Sequence, residues 1–473
     1  MPRAETVFER RRPAPSLVDA ALRDARDTCF WTDDVADPLR FPPLSGAHRC
    51  DLAVVGGGYT GLWTAVRAKQ RDPGRRVVLL ESRRLGWAAS GRNGGFCAAS
   101  LTHGEENGRA RWPEEYDTLD RLGHENLDAI ASTVAVHGMD VDFERTGELS
   151  VAVEPHQVAW LREAAGSGTF LTADEVRALV DSPTYLAGLS GNDTALLHPA
   201  KMVNELARVA SELGVEIFED SHVSSIDTSS RGGPVTLRSA SGTVRASRVA
   251  LGTNVFPALV RRFRPFTVPV YDYAIMTEPL TSSQRAAIGW SGRQGMDDLA
   301  NQFHYYRLTA DDRILFGGYD AVYRFGKQVR GEHEHRPSTH RRLVSHLLTT
   351  FPQLEGIRVT HRWAGAIDTS TRFCAFWALA GRGRVAHAAG FTGLGVGASR
   401  FAADVLLDLL SGEPTSRTAL RMVREKPLPF PPEPLASLGI QATRWSLDRA
   451  DHQEGRRNAW LRALDRFGLG FDS

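Results

Sequence analysis

Lysine is nearly absent from this chain. Of its 57 basic side chains only Lys69, Lys201, Lys327 and Lys426 are lysines, an imbalance that reads as the mark of a G+C-rich genome rather than of phosphate or carboxylate recognition. Net charge is equally scarce: 57 basic groups face 56 acidic ones, leaving +1. No global field therefore draws the protein to nucleic acid or to an anionic membrane. Cysteine is sparse, and Cys29, Cys50, Cys97 and Cys374 share no Cys-x-x-Cys spacing, which speaks against a disulfide framework or a zinc site. No stretch approaches the roughly 20 apolar residues of a membrane span. The N-terminal "MPRAETVFERRRPAP" has no apolar core of the kind a secretory signal needs. The expectation is a soluble, cytoplasmic protein without a metal.

At 473 residues, 42% of them apolar, the chain is too long for one ordinary domain and is expected to form two. Residues 51–81, "DLAVVGGGYTGLWTAVRAKQRDPGRRVVLLE", set glycines after one apolar run and end a second run on an acid. Leu52 to Val55 suits a buried parallel strand, and Gly56, Gly58 and Gly61 fit G-x-G-x-x-G at its end. In that geometry the first glycine makes a tight turn, the second admits a pyrophosphate, and the third lets a helix pack on the strand. The helix N-terminus then faces the phosphates with unpaired N–H groups. Pro73-Gly74 breaks the helix, and Val77 to Leu80 is the second strand. Glu81, 20 residues after Gly61, is placed to accept ribose hydroxyls and to repel a 2′-phosphate. These elements in register predict a dinucleotide site.

"RRLGWAASGRNGGF" follows directly, and its small residues let backbone approach a flat ring. With the glycine fingerprint it resembles the D-amino-acid oxidase-like superfamily of FAD-dependent oxidoreductases, and within it the γ-glutamylputrescine oxidase-like branch. That branch carries G-W-G-A-S-G-R-N-G-G here; Gly86, Trp87 and Ala89 to Gly95 match, while Ala88 replaces a glycine. The resemblance implies FAD contacts from Gly56, Gly58, Tyr59, Thr60 and Gly61, then from Glu81 and Ser82. It implies a flavin-side block of Ala89, Ser90, Gly91, Arg92, Asn93, Gly94, Gly95 and Phe96. Downstream, the backbone at Val223 corresponds to an adenine contact, and "SRVALGTNVF" resembles the strand returning under the cofactor, with Thr253 and Asn254 after its turn. "GRVAHAAGFTGLGVGASRFAADVLLDLLSG" looks like a second flavin-side loop, with Gly390, Phe391, Thr392, Gly393, Leu394 and Gly395 near the pyrimidine edge. A helix N-terminus there would stabilise the negative charge that appears on reduction.

The implied fold is α/β and α+β, a discontinuous Rossmann-like FAD-binding domain plus an antiparallel β-sheet substrate domain. The expected boundaries are an N-terminal extension at 1–45, FAD-binding segments at 46–115, 196–256 and 362–412, substrate segments at 116–195 and 257–361, and a C-terminal segment at 413–473. Residues 141–153 alternate as a hairpin around Arg145-Thr146-Gly147, and "NQFHYYRLTADDRILFGGYD" reads as two strands joined at Asp311-Asp312. After an extended proline-rich stretch, closing helices put Trp460, Leu461, Leu464 and Phe467 on an apolar face.

Oxidation of a C–N bond by flavin requires a neutral amine nitrogen, a C–H bond aimed at N5 and exclusion of water, with no side-chain nucleophile. On "FHYYRL" alternation separates Phe303, Tyr305 and Arg307 from His304, Tyr306 and Leu308, without telling which side is inward. An inward Tyr305 or Arg307 suits a substrate carboxylate or phosphonate; His304 is the alternative hydrogen-bond partner. His103 and Trp363 occupy places where relatives approach the ring, and Tyr273, with Tyr271, suits an aromatic wall. Sarcosine oxidase-like members attach flavin through a cysteine after the Trp-x-Gly region, but "GAIDTSTRFCAF" has Cys374 displaced, so non-covalent FAD is expected. Those members also use a strand lysine toward oxygen, which "RILFGGYD" lacks. The expected activity is oxidation of an amine or amino acid-like substrate to an imine, with oxygen reduced to hydrogen peroxide. The alternatives are an amine dehydrogenase using another acceptor, a hydroxy-acid oxidoreductase, or a non-catalytic flavoprotein binding module.

Overall fold

Two sheets organise the chain in a computed structural model that describes residues 4–469. The apolar run at Leu52 to Val55 ends the strand Gly46–Val55 and is buried throughout. A strand apolar on both faces belongs in the middle of a covered parallel sheet, and it pairs in parallel with Val77–Leu80 on one side and Gly242–Leu251 on the other. The order runs Phe376–Ala380, Val385–Ala389, Gly242–Leu251, Gly46–Val55, Val77–Leu80, Glu216–Phe218. Only the first of these pairings is antiparallel, while Val235–Arg238 hangs antiparallel from Gly242–Leu251 and Ser225–Asp227 in turn from Val235–Arg238. Helices Tyr59–Arg71, Pro199–Glu212 and Gly395–Ser411 cover one face with Leu62, Val66, Leu206 and Leu406 fully buried. Gly412, at φ 78°, ends the last of them in the left-handed conformation that an ordinary side chain resists.

The second sheet runs Val322–Tyr323, Val268–Thr277, Ile314–Gly318, His304–Leu308, Gly295–Asp298, Glu148–Ala152, Ala187–Gly191, Thr169–Thr172, with Val359–Thr369 also paired to Val268–Thr277. It is antiparallel as expected except between Gly295–Asp298 and Glu148–Ala152, which are parallel. Its outer face packs under the helix Pro337–Thr350.

Several expectations need correction. The hairpin at 141–153 does not form: only Glu148–Ala152 is a strand, paired with two distant strands, and Glu144 bridges to Leu196 instead. The helix Tyr116–Val136 sits in the first domain, because Leu119, Leu127 and Ile130 bury in the same core as Leu62. The boundary at 362 falls inside Val359–Thr369, a strand of the second sheet. The N-terminal extension is no appendage, since Val7, Phe8, Val18 and Leu22 join the core beneath the second sheet. Of the four apolar residues in the closing helices only Leu461 is buried, while Trp460 and Phe467 are exposed. Among the described residues, no helix is long and apolar enough to cross a membrane, and no cluster of metal-ligating side chains forms.

Candidate active site

The glycine turn is built for close approach. Gly56 adopts φ 109°, and a Cβ on it would strike the carbonyl oxygen of Gly252; one on Gly61 would strike that of Gly56. A Cβ on Gly58 would lie 2.7 Å from Ser90 Oγ. The helix Tyr59–Arg71 starts here, and Ser90 Oγ accepts the Tyr59 N–H at 3.0 Å. Buried Glu81 holds the turn: Oε2 accepts the Gly57 N–H at 2.6 Å, and Oε1 accepts from Ser82 Oγ, Arg83 N and Trp87 Nε1 at 2.8–3.0 Å. Oε1 carries three donors and Oε2 only one, so Oε2 is the oxygen with an acceptor site to spare. Next to Gly56, the Thr253 hydroxyl is buried without a hydrogen-bond partner, a costly state that a polar ligand relieves. Asn254 has φ 50° and accepts the Val255 N–H through its own Oδ1. Val223 packs with Val55 and Leu80 at the same end of the sheet.

The following block is locked from inside. Asn93 Nδ2 donates to the carbonyls of Ala89 and Ser90 at 3.0 and 2.9 Å, and its Oδ1 accepts the Gly95 N–H at 2.8 Å. Arg92 donates from Nε to the Trp87 carbonyl and forms an ion pair with Glu334. From the second sheet, Trp363 Nε1 donates to the Arg92 carbonyl at 2.9 Å. A shallow open recess lies beside this block, bounded by Trp87, Arg92, Phe256, Tyr271, Gly365 and Ala366.

The strand His304–Leu308 turns Tyr305 and Arg307 toward this block. Gly94 and Gly317 leave room for the Tyr305 ring, since a Cβ on either would come within 2.7 Å of it. The ring meets Phe96 edge-on at 5.8 Å, and its hydroxyl donates to Asp272 Oδ2 at 2.5 Å. Burial pushes the Asp272 carboxyl up to about 6. Arg307 is spent on backbone: one Nη donates to the carbonyls of Leu197 at 2.7 Å and Gly95 at 3.3 Å, while burial lowers its pKa to about 10. It is a clamp between sheet and block, and an anchor for a substrate carboxylate would need those donors.

His304 and Tyr273 face away, by the same two-residue alternation. His304 hydrogen-bonds Asp298 at 2.6 Å and His346 at 2.8 Å under the covering helix. Tyr273 donates its hydroxyl to the His333 carbonyl at 2.7 Å, with its ring edge-on to His340. Neither lines the cleft, and both expectations are corrected. His103 is half-buried, takes φ 62° and hydrogen-bonds the backbone of Phe373. That places it against the 370–374 turn, which Ser370 ties to the second loop by donating to Thr392 Oγ1 at 3.2 Å.

The second loop is strained open by Gly390 at φ 82°, Thr392 at φ 50° and Gly393 at φ 97°, and delivers Leu394 and Gly395 to the start of the helix Gly395–Ser411. Phe391 points into the core of the first domain. Asp368 holds the loop, accepting the Gly390 N–H at 2.6 Å, and burial pushes its carboxyl up to about 7. Asp272 and Asp368 were not singled out from the sequence. The available signal was a single acid within an apolar strand, "VPVYDYAIM", and one before a glycine-rich return, "GAID".

The FAD dependent oxidoreductase (DAO) family model matches residues 51–409. The chain belongs to that family. It is 30% identical to gamma-glutamylputrescine oxidoreductase of Escherichia coli (strain K12), covering 82% of this chain and 90% of that protein. It is 26% identical to the probable oxidoreductase OrdL of Haemophilus influenzae over 81% of this chain and 88% of the relative. The glycine oxidase structure from Geobacillus kaustophilus superposes with a TM-score of 0.66 at 18% identity, covering 80% of this chain and 99% of that one. The residues present fit FAD: a glycine cradle that no side chain could enter, an orphaned hydroxyl at Thr253 and an acid at the second strand's end. A fold shared by oxidases and an L-proline dehydrogenase of P. horikoshii supplies a redox scaffold and leaves the donor to the site itself.

Proposed function

We propose that this family member oxidises the C–N bond of a small amine or amino acid-like substrate to an imine, which water converts to an aldehyde or keto product. Electrons then pass to oxygen, giving hydrogen peroxide. Bound FAD supplies the hydride acceptor. The observation that carries the reading is the wall opposite the flavin-side block: Tyr305, Trp363 and Asp272 close it with aromatic surface and one acid. Such a wall orients an amine and excludes water without offering a nucleophile. The printed activities of relatives, a gamma-glutamylputrescine oxidoreductase, a glycine oxidase and a fungal fructosyl amine oxidoreductase among them, support a nitrogen-bearing donor.

In this reading Gly56, Gly58 and Gly61 receive the pyrophosphate, Glu81 Oε2 and Ser82 the ribose, Val223 the adenine, and Thr253 a phosphate or ribitol oxygen. Residues 89–96 and 390–395 flank the flavin ring, with His103 at the rim. The flavin is held without a covalent bond, supported by four free, buried cysteines. Acid precipitation should release all the yellow colour into the supernatant. The deciding experiment is an anaerobic panel of polyamines, acylated diamines, N-methyl amino acids, D-amino acids and hydroxy acids, watched by bleaching of the oxidised flavin band. Air is then admitted and peroxide measured. Bleaching by hydroxy acids alone, or reoxidation that ignores air, overturns the corresponding half of the reading.

A further inference from the structure

Asp272 is half-buried in a largely apolar setting, with the Tyr305 hydroxyl and the backbone of Tyr273 and Gly318 as its hydrogen-bond partners. Its strand neighbours on the same face, Ala274 and Met276, cluster with Trp31, Leu315 and Trp363, while Tyr271 and Tyr273 turn to the opposite core. Its partner across the strand pair is Gly365, which bounds the open space beside the flavin-side block. Gly365 has no side chain to cover the acid on that side.

The surrounding charges are already committed. Arg92, nearest to Gly365, is paired with Glu334. Arg307, two residues beyond Tyr305, is taken by the carbonyls of Gly95 and Leu197. Among the described residues no arginine, lysine or histidine forms an ion pair with Asp272; its side-chain partner is the Tyr305 hydroxyl. A half-buried carboxylate with no cation beside it carries a desolvation cost, and such groups concentrate where a ligand supplies the missing charge. The cost is paired with a second concession. Gly317 sits between the two strands, and any side chain there would block Tyr305 from reaching the acid.

We propose that Asp272, oriented by Tyr305, receives the substrate's amine end as an ammonium cation, which passes one proton to the carboxylate before the neutral amine is oxidised, and thereby sets the specificity of the site for amines over neutral or anionic donors. The inference rests on the amine-oxidation reading above and names the group that recognises the nitrogen. Asp272 is the specificity-determining contact; Tyr305 is a positioning residue, fixing which carboxylate oxygen faces the cleft. A carboxylate or phosphonate in this subsite would be repelled.

The test uses flavin-loaded enzyme and three probes: N-acetyl-1,4-diaminobutane, its α,α-dimethyl analogue, which has no C–H bond to give up, and the neutral alcohol N-(4-hydroxybutyl)acetamide. Binding of the last two is followed by perturbation of the oxidised flavin spectrum. The parent enzyme is expected to bind the unreactive amine at least about tenfold more tightly than the alcohol. Asp272→Asn should bring that preference to about twofold or less, with flavin content unchanged, while Tyr305→Phe keeps the preference and weakens affinity about threefold to tenfold. Equal binding of amine and alcohol by the parent enzyme overturns the proposal without any variant having to fold. So does a preference that survives Asp272→Asn. Failure of the oxidation reading looks different: no amine bleaches the flavin, yet the cation preference persists.

Discussion

Trp363 donates its indole N–H to the Arg92 carbonyl at 2.9 Å, one of the bonds joining the second sheet to the block at residues 89–96. The ring is buried with Trp31, Ala274 and Tyr305, so the donor is held where water does not compete. Trp363→Phe should cost about 1–3 kcal/mol from the lost bond and the stranded carbonyl, measured by urea unfolding. It should also raise the FAD dissociation constant about threefold to tenfold, measured by flavin fluorescence. Lowered stability with unchanged flavin affinity would confine the bond to fold support.

Gly61→Ala addresses the cradle itself. The added Cβ would collide with the Gly56 carbonyl, a backbone atom that cannot rotate aside. The helix Tyr59–Arg71 must therefore retreat from the strand, and the N–H groups at its start lose their aim. Purified protein is expected to carry less than about a tenth of the parent's flavin per chain, judged by visible absorbance against protein content. Full flavin loading would show that the turn does not hold the pyrophosphate.

Why the cradle could be read in advance and the substrate wall could not is a matter of range. Gly56, Gly58, Gly61 and Glu81 act through spacings within one βαβ unit, and each glycine answers a local steric demand. The inward face of residues 303–308 depends instead on the helix Pro337–Thr350, which covers one side of the sheet and takes His304 with it. Alternation supplies two equivalent faces, and a packing partner elsewhere in the chain chooses between them. Residues 116–136, expected in the substrate segment, lie in the first domain for the same reason: the core that buries a helix is chosen by partners elsewhere in the chain. Asp272 was hidden because a lone acid in a strand has no period.

Arg307→Ala separates a clamp from a substrate anchor. Its guanidinium binds the carbonyls of Leu197 and Gly95, so its removal strands two buried acceptors and loosens the sheet from the block. The expected cost is about 2–4 kcal/mol in unfolding free energy. Catalytic efficiency should fall by the same factor for a neutral-tailed amine and for one carrying a carboxylate. A rise in the apparent Michaelis constant confined to the carboxylate-bearing substrate would restore Arg307 to substrate binding.

Asp368 makes the second loop pH-sensitive. Burial pushes its carboxyl up to about 7 from an ordinary 3.8, so the folded state holds the proton more tightly. The contribution to stability is complete below the unfolded value and is lost as pH rises through about 7, the reverse of a salt-bridged acid. Asp272, at about 6, carries the same sign and moves the earlier part of the decline. Asp368→Asn keeps an acceptor for the Gly390 N–H but removes the charge. The variant should be less stable than the parent at pH 5, where the parent's acid is neutral, and should close that gap by about 1–3 kcal/mol at pH 8. Urea unfolding of both proteins at the two pH values reads the difference directly. A gap that stays constant would mean that Asp368 titrates as an ordinary carboxylate and that the loop owes its shape to Gly390, Thr392 and Gly393 alone.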